Sequence, residues 1–237
     1  MYTKTNGIIL SKTKYAGNAV ICNVYTLEYG KQTYIIRNST SKKNKSIYLH
    51  PLQILEFDVN IKDIQQVYTV RSTNLTYNYN SIPFDVYKSN ISVFIAQMLD
   101  SLIQEEYNNP NLYEFIKNSC LYLDIIDKGY ANFHLFFIIK LYKYLGYEPT
   151  DNYNIENIYF NLEKGRFISH KTGTCTNEDT AKILHELMQI KTIDISKIKI
   201  NKSSRNSILD TLIEYIEIHN DKKIKVKSLD IIREIFA

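Results

Sequence analysis

The chain has 237 residues, 29 Lys+Arg against 25 Asp+Glu, and is 44% hydrophobic and 23% charged. This is the balance of a globular protein with a core, and seven Gly and four Pro leave little room for long disordered linkers. Three widely spaced cysteines (Cys22, Cys120, Cys175) give neither a disulfide framework nor a paired zinc spacing, and the apolar run Gly7–Leu10 is too short for a signal-peptide core or a membrane span. A reducing, cytoplasmic setting without a membrane partner is the expectation.

Charge is unevenly spread. Residues 1–80 hold ten Lys+Arg and four Asp+Glu, a net +6, whereas residues 81–150 are net −3 and residues 151–237 net +1. A cationic N-terminal third favours an anionic partner there.

Taken in order, residues 1–80 read as five short strands. Ile8–Leu10, Ala19–Leu27, Gln32–Arg37, Leu52–Val59 and Gln66–Leu75 are rich in β-branched and aromatic residues, and the Leu52–Val59 run alternates. Glu28-Tyr29-Gly30-Lys31 is a turn signal. Five strands in about 80 residues is the size of an OB-type β-barrel. Helical spacing then begins near Pro83: Ile91, Phe94, Ile95, Met98, Leu99 and Leu102 share one face. A second helix is expected from Pro110, closed by Gly129, and a third from Asn132 to Leu145, stopped by Gly146 and Pro149. The third is apolar nearly all round and should be central to a bundle. A small hairpin follows at about 155–175, then helices around Ala181–Met188 and Ile208–Ile216, and a last short one capped by Ser228. The fold class is therefore α+β multidomain: a barrel domain over residues 1–80, and a helical bundle with a small hairpin insertion over residues 81–237.

Catalytic motifs are missing. There is no phosphate-binding GxxxxGK[ST] loop, no GxGxxG after a strand and no GxSxG elbow. The five His are scattered, and paired carboxylates such as Glu105-Glu106 and Asp124 with Asp127 read as solvated helix faces. No metal site, cofactor or catalytic residue is assigned.

The feature that stands out is the loop Arg37-Asn-Ser-Thr-Ser-Lys42-Lys43-Asn-Lys45, with four cations in nine residues and no acid. By itself it is also an ordinary solvated hairpin loop. Lys12, Lys14 and Arg71 would extend the patch. Tyr25, Tyr34, Tyr48 and Tyr68 are candidates to stack on bases, with Tyr34 first among them. Arg205, Arg233 and Lys222–Lys227 form a second basic cluster, read as surface ion pairs with Asp210, Glu214, Asp230 and Glu234.

Several stretches, in their order, resemble the RecO family of bacterial recombination mediators. They are Gly7–Thr26, Tyr29-Gly30-Lys31, Leu49–Glu56, Asn132–Phe137 through Tyr144–Tyr147, and Ser207–Asp210 through Ser228–Glu234. The resemblance covers nearly the whole chain and implies a non-enzymatic DNA repair and recombination protein, cytoplasmic and nucleoid-associated. Such a protein binds single- and double-stranded DNA, anneals complementary strands, pairs with RecR, and helps RecA displace single-strand-binding protein (SSB), whose acidic C-terminal tail its helical domain recognises. RecF is a further candidate partner. Many family members carry a four-Cys zinc site in the insertion; Asn157–Cys175 holds only Cys175, which implies a metal-free hairpin remnant. Where some relatives use an Arg for the SSB tail, this chain has Leu135 or Phe136, leaving His134, Lys140 and Lys143 as substitutes. The resemblance turns the basic loop towards DNA phosphates. Two other readings are a metal-dependent DNA hydrolase and an adaptor that binds an apolar peptide through its helical bundle.

Overall fold

The computed structural model describes residues 2–37, 49–61, 66–104, 108–220 and 223–236. Strands β1 (Thr3–Lys14), β2 (Ala19–Thr26), β3 (Gly30–Arg37), β4 (Ile54–Val59) and β5 (Tyr68–Leu75) close into an OB-type barrel in the order β1-β2-β3-β5-β4. The 12-residue β1 pairs twice, with β4 over Thr3–Ile8 and with β2 over Gly7–Lys14. Both pairings meet at Gly7, where a Cβ would lie 2.5 Å from Val24 Cγ1 and 2.9 Å from Phe57 Cε2. The strand can carry two partners there because no side chain competes for the space. Parallel pairing of β3 with β5 (Tyr34↔Tyr68, Ile35↔Thr69) closes the barrel.

Alternation along these strands sends one set of side chains inward. Ile9, Cys22, Val24, Tyr34, Ile36, Leu55, Phe57, Val59, Tyr68 and Val70 form the barrel core. The strand expected from Leu52 starts instead at Ile54. Leu52 has a positive φ of 64° and bends the chain into β4 while its N–H donates to Ile9 O at 2.7 Å.

By packing, the chain falls into two compact units, Met1–Ile125 with Val226–Ser228, and Ile126–Lys225 with Leu229–Ala237. The first contains the barrel and helices α1 (Val86–Leu102) and α2 (Pro110–Ile125). Asp85 caps α1, its carboxylate accepting from the N–H groups of Tyr87 (2.8 Å) and Lys88 (3.0 Å). Asn109 caps α2 through Leu112 N–H at 3.0 Å. The helix ends at Ile125, and Gly129, expected to close it, instead opens a 3-10 turn at Tyr130–Asn132 with φ 77°.

Asp124, read from sequence as solvated, is 3% exposed. Its carboxylate accepts from three successive backbone N–H groups, those of Asn80 (2.9 Å), Ser81 (2.8 Å) and Ile82 (3.0 Å), and from the Tyr77 hydroxyl (3.3 Å). The buried Lys88 ammonium donates to Asp124 O (3.0 Å) and Ser81 Oγ (2.7 Å). The segment leaving β5 is thereby fixed onto the end of α2.

The second unit is built on α3 (Phe133–Leu145), whose residues Phe133 to Ile139, Leu141 and Tyr142 are all buried. Its Gly146 C-cap (φ 81°) donates to Tyr142 O, as the sequence suggested. Around α3 lie the hairpin β6 (Tyr159–Asn161) and β7 (Arg166–Ile168), and helices α4 (Glu178–Gln189), α5 (Lys202–Asn220) and α6 (Leu229–Ile235). Arg205 is not a surface cation. It is 9% exposed, and its guanidinium donates to Asn132 Oδ1 (3.0 Å), Phe236 O (3.1 Å) and Ile200 O (2.8 Å). Arg233 does make the expected surface pairs, with Asp210 (2.6 Å) and Asp230 (3.0 Å). Ser228, expected to cap α6, gives its N–H (3.0 Å) and hydroxyl (3.1 Å) to Gln97 Oε1.

Burial raises the Asp124 pKa, but the N–H groups of Asn80, Ser81 and Ile82 and the Ser81 hydroxyl outweigh it and hold the carboxyl below its ordinary 3.8. A depressed folded value stabilises the fold above the unfolded pKa, and this contribution is lost as pH falls through the folded value. Asp124→Ala should cost about 3 kcal/mol in urea titration at pH 7 by orphaning buried donors. Asp124→Asn should flatten the fall in stability below pH 3.8; an acid limb identical to that of the unaltered chain would show that the carboxylate does not contribute.

Candidate nucleic-acid interface

The outer face of β2 and β3 has two halves. At one end, helices of the same unit cover it. Lys31 pairs with Asp100 of α1 at 2.9 Å, and Asn23, which accepts from Thr33 at 3.1 Å, donates to the same carboxylate at 3.0 Å. Tyr25 is buried against Tyr113 of α2, with ring centroids 6.4 Å apart. Towards the other end, the outward residues are Ile21 and Ile35, a register pair, then Ala19 opposite Arg37. Tyr15, whose N–H donates to Ala19 O at 3.0 Å, continues this row onto the β1–β2 turn. Together Tyr15, Asn18, Ala19, Ile35 and Arg37 line an open pocket of about 420 Å³.

The cations nearby come from the barrel rim. Lys12 pairs with Cys22 and Lys14 with Val20, on the inward-facing rows, and both are exposed. Arg37, at the end of β3, is exposed two strand spacings from Lys14, about 10 Å. Among the described residues no carboxylate lies within ion-pair distance of Lys12, Lys14 or Arg37. Lys42, Lys43 and Lys45 of the basic loop lie outside the described residues. Arg71 is not gathered with Lys12 and Lys14: it lies 4.0 Å from Asp58 and 5.2 Å over the Tyr2 ring, beyond the opposite end of β1 from Lys14. Its 65% exposure makes the ion pair a weak one.

The aromatic expectation changes most. Tyr34 is 0% exposed, packed at 5.1 Å on Phe57 and edge-on to Tyr68 at 6.4 Å, so it cannot stack on a base. Burial drives its phenol pKa well up. Tyr25 and Tyr68 are likewise buried, and Tyr48 lies outside the described residues. The exposed barrel aromatic beside the cations is Tyr15, 52% accessible. Its signal in the sequence was its place after Lys12 and Lys14 and just before a Gly turn.

The residues considered for the SSB tail part company too. His134 is 0% exposed, its ring stacked on Phe236 at 5.9 Å, and cannot meet a peptide. Lys140 is half-buried, and its ammonium donates to Met188 O at 2.8 Å. Lys143 alone is exposed, in the last turn of α3. Burial, with the Arg205 charge, pushes the His134 pKa down to about 3. A histidine held neutral in the fold stabilises it fully above its ordinary 6.5, and this is lost as pH falls towards the folded value. His134→Leu should therefore show a shallower loss of thermal stability between pH 6.5 and about 3 than the unaltered chain; equal slopes would contradict the buried neutral imidazole.

No helix among the described residues is long and apolar enough to cross a membrane, and no three or more His, Cys, Asp or Glu among them could hold a metal ion. The chain matches two family models, recombination protein O N terminal over residues 1–79 and recombination protein O C terminal over residues 83–228. Relatives named DNA repair protein RecO align over 100% of both chains: 32% identical in Flavobacterium johnsoniae, 32% in Christiangramia forsetii and 28% in Phocaeicola vulgatus. With an OB-type barrel ahead of a helical region and both halves matched, the chain belongs to the RecO family of DNA repair proteins.

Proposed function

We propose that this chain is a non-enzymatic recombination mediator that binds single- and double-stranded DNA through its barrel. It anneals complementary strands and, with RecR, helps load RecA onto DNA coated by SSB, in the cytoplasm at the nucleoid. The observation that carries the DNA contact is the exposed group Lys12, Lys14 and Arg37, which has no acidic partner among the described residues. Cations held away from carboxylates are free to replace condensed counterions on a phosphate backbone. Lys42, Lys43 and Lys45, five to eight residues beyond Arg37 in the chain, are assigned to the DNA contact from their charge alone. These residues hold phosphates without reading sequence. For the SSB tail, Lys143 is the accessible cation of the set first considered. A metal-dependent hydrolase reading finds no donor cluster to rest on among the described residues.

Fluorescence anisotropy of a labelled single-stranded oligonucleotide tests the contact. Changing Lys42, Lys43 and Lys45 together to Glu should weaken binding roughly tenfold or more at 0.1 M salt and lower the slope of log affinity against log salt by about 2. Unchanged affinity and slope would remove the loop from the interface.

A further inference from the structure

We propose that the exposed apolar patch where the start of α1 meets the end of α2, formed by Phe84, Val86 and Ile125, docks a short apolar segment of a partner protein flanked by Lys or Arg. Phe84 is 83% exposed, Val86 67% and Ile125 63%, with Tyr87 at 44% on the border. All four belong to the first unit. Hydrogen bonds bring them together. Ile125 follows Asp124, whose carbonyl accepts from Lys88 of α1 at 3.0 Å. The Asp124 carboxylate holds the N–H groups of Ser81 and Ile82, and Ser81 O accepts from Phe84 N–H at 2.9 Å. A contiguous group of large exposed apolar side chains marks an interaction site, whereas scattered ones do not.

Local packing does not call for the exposed ring. A residue just before an N-cap packs against the fourth helical residue when both are apolar. Here the cap is Asp85 and the fourth residue is Ser89, so Phe84 has no such apolar partner. The segment that carries Phe84 is nonetheless held by a buried carboxylate, a buried ammonium and a helix cap. A surface fixed in this way loses little conformational freedom on docking. Size and charge select the occupant. Covering the four side chains removes roughly 500 Å² from water, short of the ~800 Å² that each side of a stable dimer interface supplies, and suits a short segment. Residues 77–90 and 118–125 hold one cation, Lys88, which is buried and balanced by Asp124, so the charge left at the patch is that of Asp85. Lys or Arg beside the apolar anchors complements that charge, and an acidic tail is repelled by it. None of the barrel cations takes part, so the inference is independent of the DNA reading.

The test pans a phage-displayed library of short random peptides on the full chain, with soluble Phe84→Ser chain as competitor. Enriched sequences should combine apolar anchors with Lys or Arg. A synthetic peptide of the enriched sequence should bind the unaltered chain in fluorescence anisotropy, and bind Phe84→Ser or Ile125→Ser about tenfold more weakly. Both variants should melt like the unaltered chain, because the altered side chains face water. A lowered melting temperature would show that these side chains pack within the chain and would overturn the docking role. No enrichment, enrichment of acidic sequences, or equal affinity for the variants would overturn it as well. Light scattering that finds the unaltered chain dimeric and Phe84→Ser monomeric would assign the patch to a second copy, against the proposal.

Discussion

One buried carboxylate organises the first unit. Asp124, at the end of α2, gathers the N–H groups of Asn80, Ser81 and Ile82. It thus fixes the chain as it leaves the barrel and turns into α1. The three donors belong to a segment with no strand or helix partner of its own, and a buried N–H without an acceptor is costly. Asp85 then starts α1 only three residues after Ile82, and α1 brings Asp100 down onto Lys31 and Asn23. The route from Asp124 to Asp100 thus sets which half of the β2–β3 face α1 covers.

The rim of the barrel carries the exposed ammonium groups of Lys12 and Lys14, and the outer face beside it an apolar patch with the exposed Tyr15 ring. The second unit contributes differently: His134 and Arg205 lie inside it, the first neutral against Phe236 and the second bound to Asn132 and two carbonyls.

Much of this architecture was legible from sequence because it follows local periodicity. The alternation in β2 and β3 and the apolar face of α1 need only short-range information, and Gly30 and Gly146 mark their turns by their positive φ. For the tyrosines the misreading arises because a period of two says which residues share a face but not which face is inside. Tyr34 lies on the row of Cys22 and Ile36 and is buried, whereas Tyr15 lies on the row of Ala19 and Arg37 and is open. Asp124 looked solvated because its partners are more than 40 residues away in the chain. His134 carried a usable clue, since it sits on a helix apolar nearly all round.

The most direct test of the account is hydrogen–deuterium exchange of the full chain with and without a single-stranded oligonucleotide. Contact through the open half of the barrel predicts slowed exchange over residues 12–20 and from Ile35 onward through the basic loop, with little change over residues 126–225. Protection confined to residues 126–225, with the barrel unaffected, would contradict it.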